Sequence, residues 1–462
     1  MPRSLTAGAL ILCLTALPLQ AEKVAPASAA QISLSFAPIV KATAPGVVNI
    51  YASRVVAQRV SPFAQDPFFS QLFGGLEKTV PRVQNSLGSG VIVDPAGIVV
   101  SNYHVVGDAN DIRVVLSDRR EFDGEILLAD QHADLAIIRL KGASNLPAVE
   151  LADSDAAEVG DLALAIGNPF GVGQTVTSGI VSGLARSGGG VSDRSGYYIQ
   201  TDAPINPGNS GGALVDMSGR LLGINTSILS RSGGSNGIGF AIPANLVRQY
   251  VEQARSGNSS FRRPWSGITV QQVEASLAQA LDQTVPRGVV VANIHPSSPF
   301  AAAGLRQGDV ITALDGSPVN APSELDFRLT TRRLGDLADV SFLRNGQEQT
   351  TVVSIVEAPD EPPSAPETIQ SRNLFDGLTV ATLNPRLQET LDLPLSARGV
   401  VVTDVEGIAA NSGLRRGDIL VALNGRELAT GRDLARLVRG GPATWDLTLR
   451  RRDRTLRVRL RG

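Results

Sequence analysis

The sequence predicts a mostly β protein: a first region of short strands of barrel or sandwich type, followed by two copies of one smaller domain. Three observations carry this. Short β-branched runs separated by turn signals follow one another from Val47 to Asn225, a spacing unlike that of alternating strands and helices. Ala302-Ala303-Gly304-Leu305-Arg306-Gln307-Gly308-Asp309-Val310-Ile311 returns 109 residues later as Asn411-Ser412-Gly413-Leu414-Arg415-Arg416-Gly417-Asp418-Ile419-Leu420, and a period of that size means tandem domains, not a solenoid. Finally, 462 residues with 43% hydrophobic and 19% charged content are ordinary globular material, enough for roughly three domains.

The elements follow in order. Met1-Pro2-Arg3, an apolar stretch from Leu5 to Leu17 and then Pro18-Leu19-Gln20-Ala21 have the layout of a secretory signal, expected to occupy residues 1–21 and to be removed from an exported, soluble protein. The one cysteine, Cys13, lies inside it. Its removal leaves no thiol, which excludes disulfides, cysteine catalysis and thiolate metal sites. A net charge of -2 excludes a nucleic-acid surface, and no polybasic patch supports more than peripheral membrane contact. A short helix is expected over 36–44. Strands are then expected at Val47–Tyr51, Gly88–Val93, Gly97–Val100, Ile112–Leu116, Gly124–Leu128, Leu135–Leu140, Asp161–Ile166, Gly179–Leu184 and Leu221–Asn225, with a closing helix over 243–254. An insert at about 58–86 breaks the pattern with Phe63, Phe68, Phe69 and Phe73, a large share of the 13 phenylalanines; these either await a partner or cover a core. A glycine-serine tract runs from Ser187 to Gly196, and the acidic, proline-rich run Glu357–Pro366 reads as a semi-rigid linker between the repeats.

The chemistry gathers around Gly208-Asn209-Ser210-Gly211-Gly212. A serine hydroxyl attacks a carbonyl only if a base takes its proton and donors receive the negative charge, and glycines let backbone N–H groups approach a substrate. Alone, the string also fits an ordinary turn. The chain holds three histidines, and His104, at the end of an apolar strand, is better placed as the base than His132 in a polar loop or His295 in the first repeat. Asp134 stands just before an apolar strand, where a carboxylate needs a donor such as an imidazole N–H. Taken singly, His104 reads as structural and Asp134 as a turn cap; together with Ser210 they read as a triad. Their order along the chain, His, Asp, Ser, is that of the chymotrypsin arrangement, so the first region is expected to be a chymotrypsin-like double β-barrel. Gly208 and Ser210 would supply oxyanion N–H groups, with Asn209 shaping the loop between them. Three scattered histidines and no mature cysteine offer no metal site, and no cofactor is expected.

The stretches Gly88-Ser89-Gly90-Val91, Ser101–Val106, Asp134-Leu135-Ala136, Gly167–Ser182, Gln200–Val215 and Gly237–Pro243 resemble the HtrA family of exported serine proteases, in particular the Do-type members with two C-terminal PDZ domains. The resemblance spans essentially the whole mature chain, and its triad falls on His104, Asp134 and Ser210. Tyr103 departs from the asparagine common in the family. The resemblance implies a protease domain over 22–258, PDZ domains over 259–357 and 371–462, and a linker over 358–370. It implies a substrate pocket lined by Ile205, Asn225, Thr226 and Ser227, suited to small or branched aliphatic residues. It also implies activation loops over 169–176, 186–196, 205–209 and 229–236, with Arg186 as the residue that responds to bound peptide; a solvated arginine is the other reading. PDZ domains take an extended C-terminal peptide as an added strand, its carboxylate held by loop N–H groups. Ser266-Gly267-Ile268 and Asp376-Gly377-Leu378 are the matching loops, the second less suited to a carboxylate because of Asp376, so peptide binding is expected of the first domain and assembly or positioning of the second. Structural spacing is the alternative for both.

The reading is thus an ATP-independent serine endopeptidase of the periplasm. Its expected partners are unfolded or misfolded polypeptides and their C-terminal peptides, and, as in the family, it would form a homotrimer able to build larger cages. Two rivals stand beside it: a peptide-binding chaperone with conditional proteolysis, and a signalling protease with one membrane substrate, against which the two repeats argue.

Overall fold

Runs of β-branched residues with turn-forming glycines and aspartates fold into two closed barrels. The computed structural model describes residues 35–60, 78–168, 173–186, 197–206, 208–228, 235–281, 283–439, 444–452 and 454–461. The expected signal segment 1–21, the phenylalanines Phe63, Phe68, Phe69 and Phe73 and the tract 187–196 lie outside the described residues. After helix α1 (Ala37–Thr43), strands β1 (Val47–Val60), β2 (Lys78–Asp94), β3 (Ile98–Ser101), β4 (Asp111–Val115), β5 (Glu121–Asp130) and β6 (Leu135–Leu140) close in the order β1-β2-β3-β6-β5-β4. Residues 58–60 and 78–86, expected within an insert loop, belong to a long hairpin whose register runs from Val47↔Val91 to Val60↔Lys78. One helical turn, α2 (Tyr103–Val106), follows β3. The second barrel contains β7 (Leu162–Gly167), β8 (Thr175–Arg186), β9 (Tyr198–Thr201), β10 (Ala213–Val215), β11 (Leu221–Ile228) and β12 (Gly239–Pro243), closed as β10-β11-β12-β9-β8-β7.

Each barrel is filled by its own inward residues, Val48, Ile50, Val99, Val114 and Ile138 in the first and Ala163, Ala165, Val181, Ile199 and Leu214 in the second. A third cluster joins them. Val47, Val100, Leu135 and Ile137 pack on Leu164, Ile166, Val215 and Ile224, and helix α3 (Ala244–Arg255) seals the seam with Val247, Tyr250, Val251 and Ala254. That i, i+3, i+4, i+7 spacing presents one apolar stripe to the seam. The cleft between the barrels is therefore floored by apolar packing, with strand ends and loops left at its rim.

The first repeat is a sheet in the order β13-β14-β15-β17-β18, from β13 (Ile268–Gln272), β14 (Val289–Ile294), β15 (Val310–Leu314), β17 (Leu337–Arg344) and β18 (Gln347–Ser354), with β16 (Ser317–Pro318) beside β15 and helices α4 (Ala275–Ala280), α5 (Pro299–Ala302) and α6 (Pro322–Thr330). The second repeats this plan with β20 (Leu378–Thr382), β21 (Val400–Val405), β22 (Ile419–Leu423), β23 (Arg426–Glu427), β24 (Thr444–Arg451), β25 (Arg454–Arg461), α7 (Pro385–Thr390) and α8 (Gly431–Val438). It has one strand more: β19 (Glu367–Thr368), in the run expected as a linker, pairs with β20 at the sheet edge. The first repeat is docked on the barrels. Phe261 stacks on Tyr250 at 3.8 Å and Tyr197 on Phe327 at 3.9 Å. Ion pairs join Arg263 to Asp130, Arg328 to Asp155 and Arg333 to Glu252 across the same boundary.

Candidate active site

Neighbouring strand ends bring His104 and Asp134 together. β3 and β6 are paired, with Ser101 opposite Ala136, so the turn after one strand meets the turn before the other. Asp134 has φ of 55°, a left-handed conformation that aspartate tolerates better than most residues. Its carbonyl accepts Asn102 Nδ2 at 3.0 Å and the Tyr103 N–H at 3.1 Å, which holds the turn. The carboxylate is buried, with 4% of the residue exposed. It accepts the His104 N–H at 3.0 Å, His104 Nδ1 at 2.8 Å and the Thr226 hydroxyl at 2.7 Å. Burial works against the charge of Asp134, but the hydrogen bond and charge of His104, the Thr226 hydroxyl and the His104 N–H outweigh it, so its carboxyl lies below the usual aspartate range. A proton on Nδ1 is the assignment this network favours, and it leaves Nε2 as the acceptor. The His104 side chain is 47% exposed, so that nitrogen is open to the cleft.

Ser210 belongs to the second barrel, on the turn before β10. Its Oγ donates to the Thr226 carbonyl at 3.1 Å, and among the described residues no hydrogen bond joins it to His104. Thr226 reaches both groups because β11 bulges against β12 between Asn225 and Ser227. A bulge frees one residue from the ladder and re-aims it; here the carbonyl faces Ser210 and the hydroxyl Asp134. The loop carrying Ser210 is pinned from the other barrel by Ser89, whose N–H donates to the Ser210 carbonyl at 2.9 Å and whose hydroxyl donates to the Gly208 carbonyl at 2.7 Å. The same hydroxyl accepts the Asn168 N–H at 2.8 Å. Gly211, at φ of 82°, is required here, since a Cβ would collide with the Ser89 carbonyl oxygen. Neither the Gly208 nor the Ser210 N–H has an acceptor among the described residues, whereas the Asn209 N–H is held by the Asn206 carbonyl at 3.0 Å. Two unengaged donors thus flank Asn209, whose own N–H folds the loop between them.

The remaining candidates separate. Asn225 is fully buried and works on the loop: its Nδ2 binds the Ala213 carbonyl at 2.9 Å and its main chain exchanges hydrogen bonds with Gly211 and Gly212. Ile205 is buried in the second-barrel core, against Gly239. Ser227 lies in β11 opposite Phe240. Arg186 ends β8 opposite Tyr198, and residues 169–172, 187–196, 207 and 229–234 of the expected activation loops lie outside the described residues. The ring of Tyr103 lies against Gly107 and its hydroxyl donates to Asp108 at 3.1 Å, so it leaves the His104 ring its contacts with Asp134. A cleft of about 500 Å³ opens beside it, lined by Arg54, Ser86, Tyr103, His104, Val105 and Asp108. His132 lines a pocket with Arg263 and Phe327 at the boundary with the first repeat, and His295 packs edge-on to Trp265 at 5.6 Å. Sequence reasoning gave no role to Ser89 and placed Thr226 in the pocket without its link to Asp134. The Gly-Ser-Gly string at 88–90 was the available signal for Ser89; the bulge at Thr226 left none.

The loops of the two repeats differ. In the first, the N–H groups of Ser266 and Gly267 have no acceptor among the described residues, and that of Ile268 donates to the Ser266 hydroxyl at 3.4 Å. In the second, the N–H groups of Asp376, Gly377 and Leu378 donate to the carbonyls of Asn373, Ile369 and Phe375 at 3.0, 3.0 and 3.1 Å.

Residues 88–224 match the trypsin-like peptidase domain, residues 264–355 a PDZ domain and residues 400–451 a second PDZ domain. The periplasmic serine endoprotease DegP of Salmonella typhimurium is 38% identical over 98% of both chains. The periplasmic pH-dependent serine endoprotease DegQ of Escherichia coli is 35% identical over 92% of this chain and 91% of its own. Among solved structures, the HtrA-type protease AlgW with a decapeptide is 37% identical with a TM-score of 0.52, covering 71% of this chain and 99% of that one.

Proposed function

The chain belongs to the family of the DegP and DegQ serine endoproteases, and from that premise we propose that Ser210 is its nucleophile, His104 its general base and Asp134 the group that orients the base. The observation that carries the assignment is the buried Asp134 carboxylate, 2.8 Å from His104 Nδ1 and shared with Thr226, whose carbonyl in turn holds Ser210. With Nδ1 donating to Asp134, Nε2 takes the Ser210 proton as Oγ bonds to the scissile carbonyl carbon, and returns it to the leaving amine. Ser210 Oγ leaves the Thr226 carbonyl to do this. The Gly208 and Ser210 N–H groups receive the oxyanion, and one such donor is worth roughly a hundred- to a thousandfold in rate. Water then hydrolyses the acyl-enzyme by the same route.

The substrates are unfolded or misfolded polypeptides of the periplasm, reached by way of the signal segment, with small or branched aliphatic residues at the cleavage point. The first PDZ domain is the receptor for their C-terminal peptides, supported by the unengaged N–H groups of Ser266 and Gly267 and by the peptide-bound AlgW relatives. It docks on the barrels where Phe327 stacks on Tyr197, next to Tyr198, which pairs with Arg186; this supports Arg186 as the residue that responds to bound peptide. Assembly as a homotrimer follows the family and is read by light scattering. Casein digestion by the native chain and by Ser210→Ala tests the nucleophile. The variant should lose activity by a factor of at least about 10⁴; equal rates would remove Ser210 from the mechanism. Loss of cleavage with retained protection of an unfolded protein would show chaperone and protease activity together.

A further inference from the structure

The edge strand of a PDZ domain is where a peptide adds, antiparallel, with its last side chain in a pocket and its carboxylate on the loop N–H groups. In the second PDZ domain that edge is not free. β19 lies antiparallel on β20, with Glu367 opposite Val380 and Thr368 opposite Thr379. The following residue, Ile369, completes the pattern of a terminal ligand residue. Its N–H donates to the Leu378 carbonyl at 2.8 Å and its carbonyl accepts the Gly377 N–H at 3.0 Å. Ile369 is 2% exposed and lies in one cluster with Phe375, Leu378, Leu434 and Val438. Upstream, the Ser364 carbonyl accepts the Thr382 N–H at 2.8 Å, so the segment follows the whole edge. Asn373 Nδ2 ties the intervening turn to the Val438 carbonyl at the end of α8, at 3.0 Å.

Among the described residues the first PDZ domain has no counterpart of this strand. β13 ends its sheet. The chain entering its loop goes elsewhere: Phe261 stacks on Tyr250, and the main chain of Arg262 exchanges hydrogen bonds with the Gln253 side chain of α3. Val270 is consequently half-buried, where its counterpart Val380 is fully buried.

We infer that the second PDZ domain is closed by its own chain: Glu367–Ile369 is the resident ligand of its groove, Ile369 stands in for a terminal aliphatic residue, and peptide termini from outside bind the first domain alone. The last clause rests on the function proposed above for that domain. A segment tethered this closely is present at an effective concentration on the order of millimolar, and its main-chain carbonyl already holds the loop N–H that a carboxylate needs. The groove's ligand class is therefore an internal extended segment with a branched aliphatic side chain and no free carboxylate.

Hydrogen exchange on the full chain carrying Ser210→Ala tests this, with and without a decapeptide ending in two valines and a free carboxylate. Without peptide, the amides of 367–369 and 377–382 should exchange at least about tenfold more slowly than those of 266–272. Added peptide should slow 266–272 and leave 367–382 unchanged. Exchange of 367–369 as fast as 266–272 in the free protein, or slowing of 377–382 by the peptide, would overturn the inference. Protection of 367–382 with no slowing at 266–272 would refute the receptor role of the first domain and leave the closure of the second intact.

Discussion

The two PDZ domains are the same structure with different neighbours. Each carries a buried aspartate bound twice by an arginine from the strand before the last, Asp309 with Arg344 and Asp418 with Arg451, at 2.6–2.8 Å. Each arginine also donates to the carbonyl of a glycine, Gly304 or Gly413. What separates the copies is the segment that enters the carboxylate loop. In the first it packs on the barrels and leaves the edge strand bare; in the second it fills the edge. The two copies thus differ in where the segment before the loop is held, on α3 and the barrels or along the edge strand, and the fold they share does not decide which.

Each domain has its own reporter for testing this, Trp265 in the first and Trp445 in the second. Ile369→Asp should have the largest effect, because it places a charge in an apolar cluster and removes a buried side chain, at a cost of about 3 kcal/mol. Denaturant unfolding followed by Trp445 in a Trp265→Phe background should shift, and the Trp265 transition, read in a Trp445→Phe background, should not; a shift in both would break the separation of the domains. Next, Arg344→Ala and Arg451→Ala should each destabilise their own domain, and to a similar extent, because each leaves a buried aspartate without its partner. Clearly unequal losses would mean that the scaffolds are not equivalent. The smallest effect concerns α8, which Thr430 and Asp433 close with a capping box, whereas Ala321 before α6 offers no side-chain cap. Thr430→Ala should cost the second domain about 1 kcal/mol. Hydrogen bonds from Thr430 hold the Asp433 carboxyl below its usual value. The cap is therefore fully present above the ordinary aspartate value of about 3.9 and is lost as pH falls through the lower folded value, which acid unfolding read at Trp445 should show for the native chain but not for Thr430→Ala.

Much of the molecule was legible because it is local or repeated. β-branched runs bounded by glycine and aspartate marked most barrel strands, and the 109-residue repeat marked the tandem domains. The order His104, Asp134, Ser210 pointed to the barrel type because that order fixes which barrel carries which group. Roles that depend on register were not legible. Thr226 reaches Asp134 only through a bulge in β11, and Ser89 reaches Gly208 and Ser210 only because β2 passes the loop that carries them. The closed groove was hidden by composition: a two-residue strand inside a proline-rich, acidic run carries no periodic signal, and the isoleucine that fills the pocket looks like any linker residue.

The central claim is that Ser210 is made nucleophilic by the His104–Asp134 pair. Labelling with a serine-directed fluorophosphonate, followed by mass spectrometry, tests it most directly. The native chain should take up one label, on Ser210, and His104→Ala should take up essentially none. A native chain that digests casein while Ser210 stays unlabelled, or a His104→Ala variant labelled at the native rate, would contradict it.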